Sequence, residues 1–314
     1  MTNSTTEFTP PHPLNTAVLF LVFNRLDTTK QVFEAIRQAQ PPRLYVAADG
    51  ARETIEGEAK KTQTVRDYIM NSIDWKCEVK TLFRDKNLGC KYAVSGAIDW
   101  FFENEEMGII LEDDCLPSQS FFWFCEELLQ KYKDDMRVWQ ISGYNLLENK
   151  IKFDASYIFS RYGGIWGWAS WKNRWCYYDV EMNGWSSLMN KTKWIDKVTY
   201  SKSEARVRVK QFDSITKNRF NTWDYQWVYI KLLKFGLNII PKTNMIKNLG
   251  FDNRGTHTKN PSSDPNLINK DIDTKIIHPN KVLKTNEYEI KYSKKFFGNR
   301  NILFRIINKI KRIN

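Results

Sequence analysis

Long apolar runs alternate with segments of helical spacing through the first half of the chain. Residues 17–23 (AVLFLVF) contain no polar side chain, as expected of a parallel strand buried on both faces. Asn24-Arg25-Leu26-Asp27 then reads as a loop. In residues 28–38, Val32, Phe33 and Ile36 recur at helical spacing and predict a helix. Residues 43–48 (RLYVAA) predict a second strand closed by Asp49-Gly50, residues 59–71 a helix, and residues 77–83 a third strand. Asn87-Leu88-Gly89 opens a helix through Phe102, and residues 107–111 form a fourth strand. Residues 118–133 and 138–142 add one more helix and strand. This alternation predicts an α/β fold: a doubly wound, mostly parallel sheet with helices on both faces.

The second half changes character. Residues 160–179 (SRYGGIWGWASWKNRWCYYD) hold four tryptophans, three tyrosines and three glycines. Such a segment builds either an aromatic platform on which sugar rings stack or a tryptophan-rich core. Residues 221–227 (NTWDYQW) start a helix predicted to run to Phe235. Asp224, among bulky aromatics, is either a partly desolvated carboxylate with raised basicity or a first-turn aspartate that favours the helix dipole. Residues 248–258 (NLGFDNRGTHT) have the glycine and asparagine content of a mobile loop. Residues 259–290 read as polar and loop-rich.

The candidate chemistry sits at the end of the fourth strand, where Glu112-Asp113-Asp114 follows an apolar run directly. Carboxylates at the end of a buried strand are costly unless a cation or a hydrogen-bonding ligand neutralises them. In open α/β sheets that edge is where ligands bind. A hard divalent metal that also grips a diphosphate suits such a site. The chain has no GxGxxG fingerprint and no Walker motif, which disfavours dehydrogenases and P-loop enzymes.

Composition adds limits. A chain of 314 residues can bury a large core. No run of 18 apolar residues is long enough to span a membrane. Residues 1–13 are polar and proline-rich and read as a disordered leader, not a secretory signal. The five cysteines are widely spaced without a CxxC pair, which favours reduced cytosolic thiols over disulfides or zinc. The net charge of +12 is uneven: from Lys291 to Asn314 there are eight Lys or Arg and no acid. Leu303, Ile306, Ile307, Ile310 and Ile313 recur there at helical spacing, with Arg305, Lys309 and Arg312 on another face. A basic amphipathic helix of this kind either lies on an anionic membrane surface or packs on the domain. No aromatic-interleaved basic motif points to nucleic acid.

Taken in order, these motifs resemble nucleotide-sugar glycosyltransferases of the GT-A fold. The likeness is to the inverting N-acetylglucosaminyltransferase I-like family, with bacterial surface-polysaccharide transferases also similar. It covers residues 14–258 and is strongest over 109–171. LEDDCLPSQSFFWF looks like that family's strand, acidic motif and aromatic helix; QISGYN and GGIWGW look like its next strand and acceptor-side loop; TWDYQW looks like its base segment. The chain has Asn24 where the family carries an acid.

The resemblance implies a donor half (residues 14–142), an acceptor half (143–258) and a C-terminal extension (259–314). It implies that Phe23 and Arg25 border the donor diphosphate and that Asp49 hydrogen-bonds a uracil-type base. Glu112 and Asp113 would hold the donor sugar and ribose, and Asp114 would ligate Mn²⁺ or Mg²⁺, with His257 of the lid loop touching phosphate or metal. Gly164, Trp166 and Trp168 would form the acceptor-side loop and shield the site from water, and Asp224 would be the general base. The partners expected are a UDP-sugar or related donor, a glycan or lipid-linked acceptor, and an anionic membrane at the cytoplasmic face of a bacterium. A retaining transferase, a metal-dependent phosphoryl-transfer enzyme, and a non-catalytic carbohydrate- or membrane-binding protein are the rival readings.

Overall fold

A computed structural model describes residues 8–217, 219–250 and 268–298. Its first elements follow the apolar pattern. The strand β1 (Val18–Val22) is buried throughout. Alternate strand residues face opposite sides: Val18, Phe20 and Val22 join one apolar cluster, and Ala17, Leu19 and Leu21 join another. Helix α1 (Leu26–Ala39) covers the first face with Val32, Phe33 and Ile36, and ends at Gln40 in the left-handed conformation. Then come β2 (Arg43–Ala48), α2 (Glu58–Ser72), β3 (Glu78–Phe83), α3 (Gly89–Asn104) and β4 (Met107–Glu112). Helix α2 adds Val65 and Ile69 to the first cluster, while α3 adds Ala97, Ile98, Phe101 and Phe102 to the second. The sheet therefore carries helices on both faces.

Beyond β4 the elements are β5 (Cys115–Pro117), α4 (Ser120–Tyr132), β6 (Val138–Ser142), β7 (Tyr157–Ser160), β8 (Trp168–Trp171), and the helices α5 (Lys172–Trp175), α6 (Asn183–Ser186), α7 (Lys191–Val198), α8 (Lys202–Thr216) and α9 (Asp224–Leu233). Strands β9 (Leu237–Pro241) and β10 (Ile246–Asn248) and helix α10 (Asn286–Phe297) complete the series.

The main sheet has eight strands in the order β3-β2-β1-β4-β8-β6-β9-β7, and β5 pairs with β10 in a separate antiparallel ribbon. The first four strands are all parallel. The far side is mixed: β8 runs antiparallel to both β4 and β6, and β7 runs antiparallel to β9. The mostly parallel expectation thus holds for the first half and gives way in the second. Parallel neighbours need a crossover of about a dozen residues or more, usually helical. No helix separates β6 from β7 or β7 from β8, so the chain returns antiparallel.

Helices α6 to α9 close a smaller apolar cluster around Trp185, Phe212 and Tyr229. The segment expected to be loop-rich, residues 259–290, ends in the first turn of α10. That helix buries Tyr288, Glu289, Ser293 and Phe297, and residues just before it meet β7 through Thr285 N–H donating to the Phe159 carbonyl (2.8 Å). The basic stretch at residues 303–313 lies outside the described residues, as does His257. Among the described residues no helix is long and apolar enough to cross a membrane.

Candidate active site

The carboxyl ends of β1, β2 and β4 open into a cleft of about 1400 Å³. Its walls include Phe23, Arg25, Asp49, Glu112, Asp113 and Asp114 from the first half, and Gly164, Trp166 and Asp224 from the second. Most of the residues singled out in the sequence therefore meet in one place.

At the centre, Arg25 Nη2 lies 2.5 Å from Asp113 Oδ1 and 3.0 Å from Asp114 Oδ2. The Phe23 N–H also donates to Asp113 (3.3 Å). Asp113 is only 4% exposed. Burial pushes its carboxyl up to about 6, against the pull of Arg25. Burial likewise works against the Arg25 charge, but Asp113 and Asp114 outweigh it and hold the guanidinium protonated. One nitrogen serves both carboxylates, and neither Nε nor Nη1 makes a hydrogen bond to a described residue. Asp113 is thus an anchor for Arg25 more than an open ligand-binding group.

Glu112 has no such partner. Burial, then repulsion from Asp114, Asp113 and Asp224, pushes its carboxyl up to about 8. Asp224 reaches this neighbourhood from 112 positions along the chain because α9 begins there. It is half-buried in the first helical turn, where the helix dipole favours a negative charge, and it accepts a hydrogen bond from the Thr222 hydroxyl.

Asp49 is engaged differently from the expectation. Its oxygens accept from the backbone N–H groups of Gly50 (3.0 Å), Leu88 (3.0 and 3.1 Å) and Gly89 (3.0 Å). The Asn221 side chain accepts from Lys91 N–H (2.7 Å). These two distant side chains satisfy the first donors of α3, which its own sequence leaves uncapped. Asp49 keeps its place on the cleft wall as the tie between β2 and α3.

Of the two tryptophans expected in the acceptor-side loop to shield the site, one lines the cleft. Trp166 lies on the cleft wall with its ring edge-on to Tyr144 (4.5 Å between centroids). Trp168 is a correction: it is 0% exposed, inside β8, stacked on Trp223 at 5.7 Å and packed against Trp175 and Trp227. The reason lies in the residue between. Gly167 has φ +59°, and a Cβ there would sit 2.4 Å from Ile246 Cδ1. That turn ends the loop, so Trp166 belongs to the cleft and Trp168 to the core. Gly164 supports the loop through its carbonyl, which accepts from Gln140 Nε2 (2.6 Å) and Ser142 Oγ (3.0 Å).

Among the described residues no group of three or more His, Cys, Asp or Glu side chains is placed to hold a metal. A Mg²⁺-type site does not require one: such ions are held by one or two carboxylates together with substrate phosphates and water. Asp114 fits that donor set. It is partly exposed to the cleft, and Gly250 approaches so closely that a Cβ there would meet Asp114 Oδ2 at 2.2 Å. The β5–β10 ribbon makes this approach, with Leu249 N–H donating to the Asp114 carbonyl (2.7 Å).

Several cleft residues carried no sequence signal. Arg52 pairs with the buried Glu58, which also accepts from Asn24 Nδ2 (2.8 Å), and its guanidinium lies 5.5 Å from the Phe23 ring centroid. Arg161, Arg208, Arg219 and Lys231 line the far end. A cation buried in a helix breaks no composition rule, and only its tertiary neighbours reveal it.

No family model and no curated protein matches the chain. Solved structures give remote similarities. HddC from Yersinia pseudotuberculosis is 10% identical, covers 55% of this chain and 87% of its own, and has a TM-score of 0.33. S. aureus TarS 1-349 is 10% identical over 51% of this chain and 47% of its own, with a TM-score of 0.33. The apo form of the glycosyltransferase GlyE in Streptococcus pneumoniae TIGR4 is 9% identical over 71% and 44%, with a TM-score of 0.34. The chain spans less than half the length of TarS and GlyE. The α/β class itself rests on the strand order and the two helical layers described above.

Proposed function

We propose that the protein is a glycosyltransferase that moves a hexose or N-acetylhexosamine from a nucleoside diphosphate donor, UDP-linked by default, to a hydroxyl of a glycan or lipid-linked acceptor, with inversion. The observation that supports this reading best is the meeting of Asp224 with the Arg25–Asp113–Asp114 group in one cleft at the carboxyl edge of the parallel strands.

The chemistry follows from these positions. Arg25, on the cleft wall, stabilises the charge that develops on the departing diphosphate. Asp224 takes the proton from the acceptor hydroxyl as its oxygen attacks the anomeric carbon. The new carbon–oxygen bond forms while the bond to the diphosphate oxygen breaks, and the electron pair leaves with the diphosphate. Trp166 narrows the cleft and limits access of water that would hydrolyse the donor. A divalent cation bound at Asp114 would supply further positive charge to the diphosphate. Metal-free, non-catalytic sugar binding would leave Asp224 and the buried carboxylates without a role.

A thermal-shift panel of nucleotides and nucleotide sugars, with Mn²⁺ and with EDTA, tests the reading. Stabilisation by one nucleoside diphosphate, lost with EDTA and in Asp114→Ala, is expected. A flat response to every nucleotide overturns it.

A further inference from the structure

The far end of the cleft has the opposite charge character from the acidic centre. Asp224, Val228 and Lys231 all line the cleft from α9. They are spaced i, i+4 and i+7, so they share one helix face, and Lys231 lies about 10 Å along it from Asp224. Lys231 is 2% exposed. Its ammonium donates to Gln140 Oε1 and Asn238 Oδ1, both at 2.6 Å and both neutral amides. Among the described residues no carboxylate lies within ion-pair distance of it.

Arg208 of α8 lines the same end and is 7% exposed. Its Nη1 makes one long bond, 3.3 Å, to Gln211 Oε1. Glu204 Oε1 stands 4.0 Å from its Nε, outside hydrogen-bond reach, and both atoms are buried with no partner. The other Glu204 oxygen is taken by the Tyr162 hydroxyl (2.7 Å) and the Ser293 hydroxyl (2.9 Å). Arg208 is close enough to Lys231 for its charge to add to burial in driving the lysine pKa down. Arg219 stands exposed on the rim. Arg208 has the Glu204 carboxylate as an ion-pair partner only at 4.0 Å, and Lys231, with its pKa driven down by burial and by Arg208, holds its proton at low cost only when an anion completes the pair.

Resting on the glycosyl-transfer reading, we propose that this end of the cleft is an anion subsite, in which Arg208 and Lys231 bind an oxyanion group carried by the acceptor. The acceptor is then an anionic chain, phosphorylated or uronic. Its charged group lies on the unit next to the one that presents the reacting hydroxyl, because the subsite is about two helical turns from Asp224. Tyr162 and Tyr292, stacked at 4.5 Å on the cleft wall, offer an apolar flank for the chain between. The arrangement separates the anionic groups of the two reaction partners: Arg25 meets the donor diphosphate, and Arg208 with Lys231 meets the acceptor's oxyanion.

The test titrates methyl phosphate and methyl glucuronate into the full chain, by calorimetry, with and without saturating nucleoside diphosphate. Binding of either anion that persists at saturating nucleotide is expected, and the tighter one identifies the acceptor's charged group. Arg208→Gln and Lys231→Met should each weaken that binding about tenfold or more, the loss of a charge-assisted hydrogen bond, with the near-UV circular dichroism spectrum unchanged. Arg208→Lys should fall between. Failure of both anions to bind, displacement of both by the nucleotide, or binding unaffected by the substitutions overturns the subsite. The wild-type competition stands even if a variant fails to fold. Nucleotide binding is read in the same titrations, so a protein that binds the anion but no nucleotide counts against the transferase reading and not against the subsite.

Discussion

The two ends of the cleft solve the same problem in opposite ways. At the acidic end, carboxylates cluster where β4 ends, and Arg25 from the loop after β1 compensates two of them at hydrogen-bond distance. At the other end, basic groups come from the interiors of α8 and α9: Lys231 meets neutral amides, and Arg208 stands 4.0 Å from the Glu204 carboxylate. Strand-end loops leave a group free to turn toward a ligand or a neighbour. Helix interiors fix it in a packed wall, where a buried amine is driven toward its neutral form unless a counter-charge arrives. The acidic end is thus compensated internally by Arg25, while Lys231 at the basic end has no carboxylate partner among the described residues.

The strongest way to break the contrast is at the residue between the two ends. Asp224→Asn keeps the size of the side chain and the hydrogen bond with Thr222 but cannot take a proton. Transfer should fall by about 10² to 10⁴, while nucleoside diphosphate affinity measured by calorimetry stays within about twofold, since the donor group is built from other residues. Retained transfer would remove Asp224 as the base and leave the cleft with no group positioned for that step.

A second comparison separates two neighbours of identical type. Trp168→Ala empties a site packed against Trp175, Trp223 and Trp227, and should cost about 3–5 kcal/mol in denaturant unfolding. Trp166→Ala removes a half-exposed ring and should cost about 1 kcal/mol, with the larger loss in transfer relative to donor hydrolysis. Equal stability losses would show that the loop side chain is as much a part of the core as its neighbour.

That pair also marks where sequence stops informing. The alternation of apolar runs locates β1 to β4, α1 to α4 and the acidic strand end to within a few residues, because those elements are local and bury one regular face each. Glu112 follows from a strand end and Asp224 from a helix start, while Arg25 comes from the family resemblance. The Trp-rich segment gives no such guide: in an extended chain Trp166 and Trp168 share a face, and only the positive φ at Gly167, where a Cβ would also run into Ile246, parts them. Strands β7 and β9 are short, and β9 pairs with β6 and β7 from distant parts of the chain. Lys231 looks like any helical lysine until Gln140, Asn238 and Arg208 are placed around it. Asp49 reads as a ligand residue, yet its oxygens are occupied by the start of α3, a helix that begins 40 residues later.

The smallest expected effect concerns Glu112 in the absence of metal. Its carboxyl is pushed from an ordinary value near 4.5 up to about 8 by burial and by Asp114, Asp113 and Asp224. Below 4.5 the group is neutral in both folded and unfolded states, and its contribution is fully present. Between 4.5 and about 8 the unfolded chain has released the proton while the folded protein keeps it, so stability falls as pH rises. Above about 8 the loss is complete. Asp113, raised from 3.8 to about 6, adds a similar fall in a lower window. Melting temperatures in EDTA should therefore decline from pH 5 to pH 8.5. Glu112→Gln, neutral at every pH, should flatten the part above pH 6 and melt several degrees above wild type at pH 8.5, while only the share of the decline that Asp113 supplies remains below pH 6. An unchanged slope in the variant would mean that Glu112 is already ionised in the folded protein at pH 5. The donor end would then carry its full negative charge with Arg25 as its nearest compensation, which would make the two ends of the cleft alike in leaving a charge for the ligand to meet.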